Sequence, residues 1–128
     1  VSFFGRVLQR FQHQCETSEH HIDPSLETHY YRTSFDKAYE AVGQLFSKDV
    51  YEAVSHSKEH GEWGFMKKGS EPFFIIASVV TVRPFETAVD FKLTYEKTKV
   101  TGPYPSMKNE IISFYRELDK ILPYLGKK

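Results

Sequence analysis

A two-layer α+β sandwich, with an antiparallel sheet on one side and helices on the other, is predicted by three observations. Phe73 to Tyr95, FFIIASVVTVRPFETAVDFKLTY, reads as a long apolar hairpin. Two segments, 35–46 and 106–122, carry apolar residues at helical spacing. The connections are short, so sequential strands should pair as a meander and both helices should cover one face. The expected order is β-α-β-β-β-β-α, preceded by an amphipathic helix.

In the first hairpin arm Phe73, Ile75, Ala77 and Val79 share one face, and Phe74, Ile76, Val80 and Val82 share the other. Both faces are apolar, which suits a strand covered above and below; β-branched content and the flanking Pro72 and Pro84 favour strand over buried helix. In the second arm Val89, Phe91, Leu93 and Tyr95 alternate with Ala88, Asp90, Lys92 and Thr94, so one side is core and the other faces water. Arg83-Pro84-Phe85-Glu86 supplies the turn, since proline pre-sets its own φ.

From the start of the chain, VSFFGRVLQRFQHQ places Phe4, Val7, Leu8 and Phe11 on one helical face, with Arg6, Gln9, Arg10 and Gln12 elsewhere on the circumference. So short a helix is marginal in water without a surface to lie on. That surface is the domain itself, a partner or a membrane, with the domain preferred. The next stretch, CETSEHHIDPS from Cys15 to Ser25, has no apolar period and reads as a polar linker. Its Cys15, Glu16, Glu19, His20, His21 and Asp23 are metal-ligating types, but their spacing fits no paired template, so no metal site is expected.

Leu26 to Thr33, LETHYYRT, has the aromatic and threonine content of a first strand. Thr33 or Ser34 can cap the helix that follows, with Asp36 in its first turn and Phe35, Ala38, Tyr39, Val42, Leu45 and Phe46 on the buried face. Asp49 to Ser57 and Gly61 to Lys67 read as two shorter strands joined around Lys58 to His60, and Lys67-Lys68-Gly69-Ser70 as the next turn. After the hairpin, Glu96 to Ser106 breaks every period. Pro105 and Ser106 then open a helix to about Leu122, striped by Met107, Ile111, Phe114, Leu118 and Ile121 and ended by Pro123. Gly126 to Lys128 reads as a frayed basic tail.

The length, 128 residues, suits one core: an arm and linker over 1–25 and a single domain over 26–128. Basic and acidic residues balance at 17 each, so no global field gathers nucleic acid, and none is expected as a partner. Aromatics at 16 % point to a core filled by rings rather than to disorder. One cysteine rules out an intrachain disulfide and fits a reducing compartment. With no apolar run of about 18 residues or secretory leader, the expected address is the cytoplasm, although Val1 at the start leaves room for a preceding leader.

The element order resembles the repeat of the TATA-binding-protein fold and a reduced helix-grip domain, in which a curved sheet wraps a long carboxy-terminal helix. THYYRT, EHGEWGF, VRPFETAVDF and FYRELDKILP also look like a small group of cytosolic proteins from Bacillus-type bacteria, a resemblance that brings no activity with it. The helix-grip likeness implies an apolar small molecule between sheet and last helix, lined by Phe91, Tyr95, Phe114 and Tyr115, with Tyr104 in the loop at its mouth.

Two helical lids leave the Phe74, Ile76, Val80, Val82 side of the hairpin uncovered, and an exposed apolar stripe marks a contact surface. The favoured function is therefore a noncatalytic interaction module or homo-oligomer, using that face together with Phe4, Val7, Leu8 and Phe11. Binding of an apolar small molecule is the alternative. Catalysis is disfavoured: His56, His60, Glu62, Glu86 and Asp90 are acid–base types, but nothing in the pattern sets a nucleophile beside a base and an orienter. No cofactor is expected.

Overall fold

The computed structural model describes residues 14–69, 72–95 and 104–126. It is an α+β fold: one antiparallel sheet and two helices. The strands are β1 (Gln14–Glu16), β2 (His29–Tyr31), β3 (Tyr51–Ser57), β4 (Glu62–Lys67), β5 (Phe73–Arg83), β6 (Glu86–Tyr95) and β7 (Tyr124–Gly126). The helices are α1 (Phe35–Leu45) and α2 (Tyr104–Ile121). The helix expected over the first 14 residues falls, apart from Gln14, outside the described residues.

β3 to β6 form the expected meander, and β5 lies between β4 and β6. Its alternation sets the layers. Phe73, Ile75, Ala77 and Val79 are all at most 2 % exposed and join the core, as do Val89, Phe91 and Leu93 across the hairpin. Each of these side chains larger than alanine stabilises the fold by about 1.5–3 kcal/mol relative to leaving it in water. Above them lie Ala38, Tyr39 and Val42 of α1 and Met107, Ile111, Phe114 and Leu118 of α2. Both helices thus cover the same sheet face.

Ser34 caps α1, its hydroxyl accepting from the Lys37 amide at 3.2 Å, and Asp36 sits in the first turn. Gly43 interrupts the helical composition for a packing reason. Its missing side chain leaves room for the Trp63 ring, whose Nε1 donates to the Tyr39 carbonyl at 2.9 Å. At the other end Pro123 follows α2 and cannot extend it.

The structure departs from the sequence reading at the sheet's other border. The strand expected over Leu26 to Thr33 is only His29–Tyr31, because Pro24–Leu26 forms a 3-10 turn capped by Asp23. It pairs with β6, not with β3: Tyr31 lies opposite Thr87 and His29 opposite Val89. Within the stretch read as a linker, Cys15 pairs with Leu93 further along β6, and Cys15 and Thr17 are buried. The supposed frayed tail begins in strand, with Gly126 opposite Tyr30. One long strand, β6, therefore carries β1 and β2 in succession on one side and β5 on the other.

Candidate functional site

The sheet face away from the helices holds the residues that the sequence assigned to contact. Strand register aligns them in rows. Gln14, Thr94, Phe74, Met66 and Glu52 form one row, and Glu16, Lys92, Ile76, Gly64 and Ser55 the next. Phe74 and Ile76 are half-buried, whereas Val80 and Val82 are 53 % and 42 % exposed. Gly64 makes a hollow in this face. A Cβ there would collide with the Ser55 hydroxyl and come within 3.4 Å of the Phe74 ring. The hollow, about 220 Å3, is walled by Ser55, Ser57, Glu62, Phe74 and Ile76. The other predicted contact residues, Phe4, Val7, Leu8 and Phe11, lie outside the described residues.

The rings proposed to line an apolar ligand space pack against one another. Phe91, Phe114, Tyr115 and Tyr95 are buried, and Tyr104 is half-buried against the same cluster. Ring centroids of Phe91 lie 5.3 Å from Phe114 and 5.1 Å from Tyr115, and Phe46 approaches Phe114 at 4.8 Å. The Tyr115 hydroxyl donates to the Val89 carbonyl at 2.8 Å, and burial raises its pKa. These side chains occupy the region between the sheet and α2.

A polar cluster that the sequence reading did not single out lies at the β2 border. Asp119 Oδ1 is 3.0 Å from His29 Nδ1 and accepts from the Tyr31 hydroxyl at 2.6 Å. The His29 ring stacks on Tyr115 with centroids 3.7 Å apart and planes 8° apart, and Tyr124 tilts against it at 4.7 Å. Burial and the Asp119 hydrogen bond both raise the Tyr31 pKa, keeping it a neutral donor. A cleft of about 260 Å3 opens beside the pair, with Ile112 and Arg116 among its walls. This arrangement is an imidazole with an orienting carboxylate. Ser25, also on the cleft, donates its hydroxyl hydrogen bond to Asp23 Oδ1 at 2.7 Å.

The acid–base candidates from the sequence are scattered. His56 is an exposed member of β3 with its ring 5.6 Å from Trp63, while His60 bonds Ser57 at 2.8 Å beyond the strand end. Glu62 is exposed on β4, and Glu86 follows the hairpin turn. Asp90 serves structure: it accepts from the Thr17 and Thr28 hydroxyls at 2.6 Å each, tying the start of the chain to β6.

Nor does the polar stretch gather ligands. Asp23 accepts from Lys108 at 2.6 Å and from the Ser25 amide at 3.0 Å; burial raises its pKa, but these donors together with the ammonium charge outweigh it and hold the carboxyl at about 2. Burial pushes the Cys15 thiol up to about 11. Among the described residues, no three His, Cys, Asp or Glu side chains converge as a metal site would require. No helix among them is long and apolar enough to cross a membrane.

No family model and no curated protein matches this chain.

Proposed function

We propose that this protein is a noncatalytic interaction module that self-associates through the sheet face opposite its helices. The observation carrying this reading is that β5 presents Phe74 and Ile76, where it lies between β4 and β6, and Val80 and Val82, beyond the end of β4, on the side away from α1 and α2. Apolar side chains on the sheet face turned away from both helices suit contact with another surface. The occupant is a second copy of the chain, with the apolar stripe Phe4, Val7, Leu8 and Phe11 contributing to the same contact. Position supports this: Gln14, where that segment joins the sheet, shares a row with Thr94 and Phe74. Two strand spacings, about 10 Å, separate Gln14 from Phe74, while 13 residues of helix would span about 20 Å.

Light scattering on the full chain across a concentration series tests this directly. A dimer mass in the wild type and a monomer mass in Ile76→Glu, with unchanged far-ultraviolet circular dichroism, is the expected pair of results. A wild-type chain that stays monomeric at high micromolar concentration overturns the reading. Binding of an apolar molecule between sheet and α2 gains no support from the ring packing.

A further inference from the structure

The β5–β6 turn presents a different surface. Phe85 is 71 % exposed and has φ 58, the left-handed conformation that bulky residues rarely adopt. The cause is local: Arg83 pairs with Glu86 across a two-residue turn, and Pro84 has its φ fixed, so Phe85 carries the reversal. The ring is thereby held at the tip, where it forms the shared wall of two clefts. One, about 480 Å3, includes Arg32, Glu86 and Leu125; the other, about 290 Å3, includes Arg32, Lys37 and Ile121. Ile121 and Leu125 are 55 % and 43 % exposed.

Charge supplies a second, independent observation. Arg32 and Lys37 line the clefts, Arg83 flanks the turn, and none of them forms an ion pair among the described residues. Glu86, which lines the larger cleft, is half-buried and already engaged in an interaction. In a chain with 17 basic and 17 acidic residues, this is a local positive excess around an apolar point. Its complement is apolar and negative. The chain's own 1–13 segment does not qualify, because its charged side chains are Arg6 and Arg10. We propose that the Phe85 tip docks on an anionic lipid bilayer. Phe85 enters the boundary between headgroups and acyl chains, Ile121 and Leu125 follow it, and Arg32, Lys37 and Arg83 lie at the level of the lipid phosphates. A projecting ring flanked by cations fits a broad, soft anionic surface better than a partner that would have to offer a pocket for the ring.

Vesicle sedimentation of the full chain tests the assignment, with equimolar phosphatidylglycerol and phosphatidylcholine against phosphatidylcholine alone. Binding to the anionic vesicles only, weakened by added salt, is expected. Phe85→Gly, which retains the backbone conformation, should lower the partition coefficient roughly tenfold or more. The Arg32→Glu, Lys37→Glu double variant should lower it by at least as much. Val54→Ser, an exposed apolar site on β3, should leave it unchanged. The proposal is overturned if the wild type does not sediment with anionic vesicles, as it would if the tip served an acidic protein. It is overturned equally if Phe85→Gly binds as the wild type does, as it would if the 1–13 segment were the membrane contact. Neither result depends on the self-association reading, which is tested at Ile76, away from the turn.

Discussion

Asp119 Oδ1 receives two bonds from one strand, 3.0 Å from His29 Nδ1 and 2.6 Å from the Tyr31 hydroxyl, so a single carboxylate on α2 fastens β2 to the helical layer. Both β2 side chains are buried. Asp119→Ala removes their shared acceptor and leaves two polar groups without it. Urea denaturation should show a loss of about 1–3 kcal/mol. Asp119→Asn, which keeps a carbonyl acceptor, should retain a good part of that; equal losses would show that the hydrogen bonds contribute little.

Acid should loosen the first part of the chain through Asp23. Its folded pKa is about 2, below the ordinary 3.8, despite the opposing effect of burial. A depressed carboxyl pKa contributes stability that is complete above the unfolded value and disappears as pH falls through the folded one. The window is therefore between about pH 4 and pH 2, and the contribution is roughly 1–2 kcal/mol. Asp23→Asn should flatten the stability profile across that window, as read by urea midpoints at successive pH values.

Cys15 should behave as an inert thiol. It is 2 % exposed, and burial raises its pKa to about 11, so at neutral pH the thiolate is scarce as well as shielded. A chromogenic disulfide reagent should label it slowly in the native protein and promptly in denaturant. Fast labelling of the folded chain would mean that β1 opens away from β6.

Relieving the turn should raise stability even though it removes a large side chain. Phe85 contributes little burial and holds φ 58. Phe85→Gly takes up that conformation freely, and an increase of up to about 1 kcal/mol is expected in thermal unfolding. A lower melting temperature would show that the ring stabilises the turn by more than its backbone conformation costs.

What the sequence revealed follows from what periodicity can encode. The α1 stripe and the Phe73 to Tyr95 hairpin were legible because each repeats its pattern over many residues, and Pro84 marked the turn between them. β1 and β7, at three residues each, are too short to display any period; they form because β6 and β2 offer open edges. The neighbour of β2 was equally hidden, since three residues carry no signal that distinguishes β6 from β3 as a partner. For the sites the limit was different. His29 and Asp119 are 90 residues apart, and no local pattern joins them. A set of rings such as Phe91, Phe114 and Tyr115 reads the same whether it walls a void or fills one; the answer depends on three-dimensional volume.

The attachment of β1 and β2 to β6 also has a temporal side. During synthesis both strands leave the ribosome long before their partner, and everything from Arg32 to Phe85 must be translated before Tyr31 can meet Thr87. Until then their edges and the greasy side chains of Tyr30, Tyr31 and Leu26 lack the shelter of the folded state, which delays this border of the sheet behind the rest of the meander.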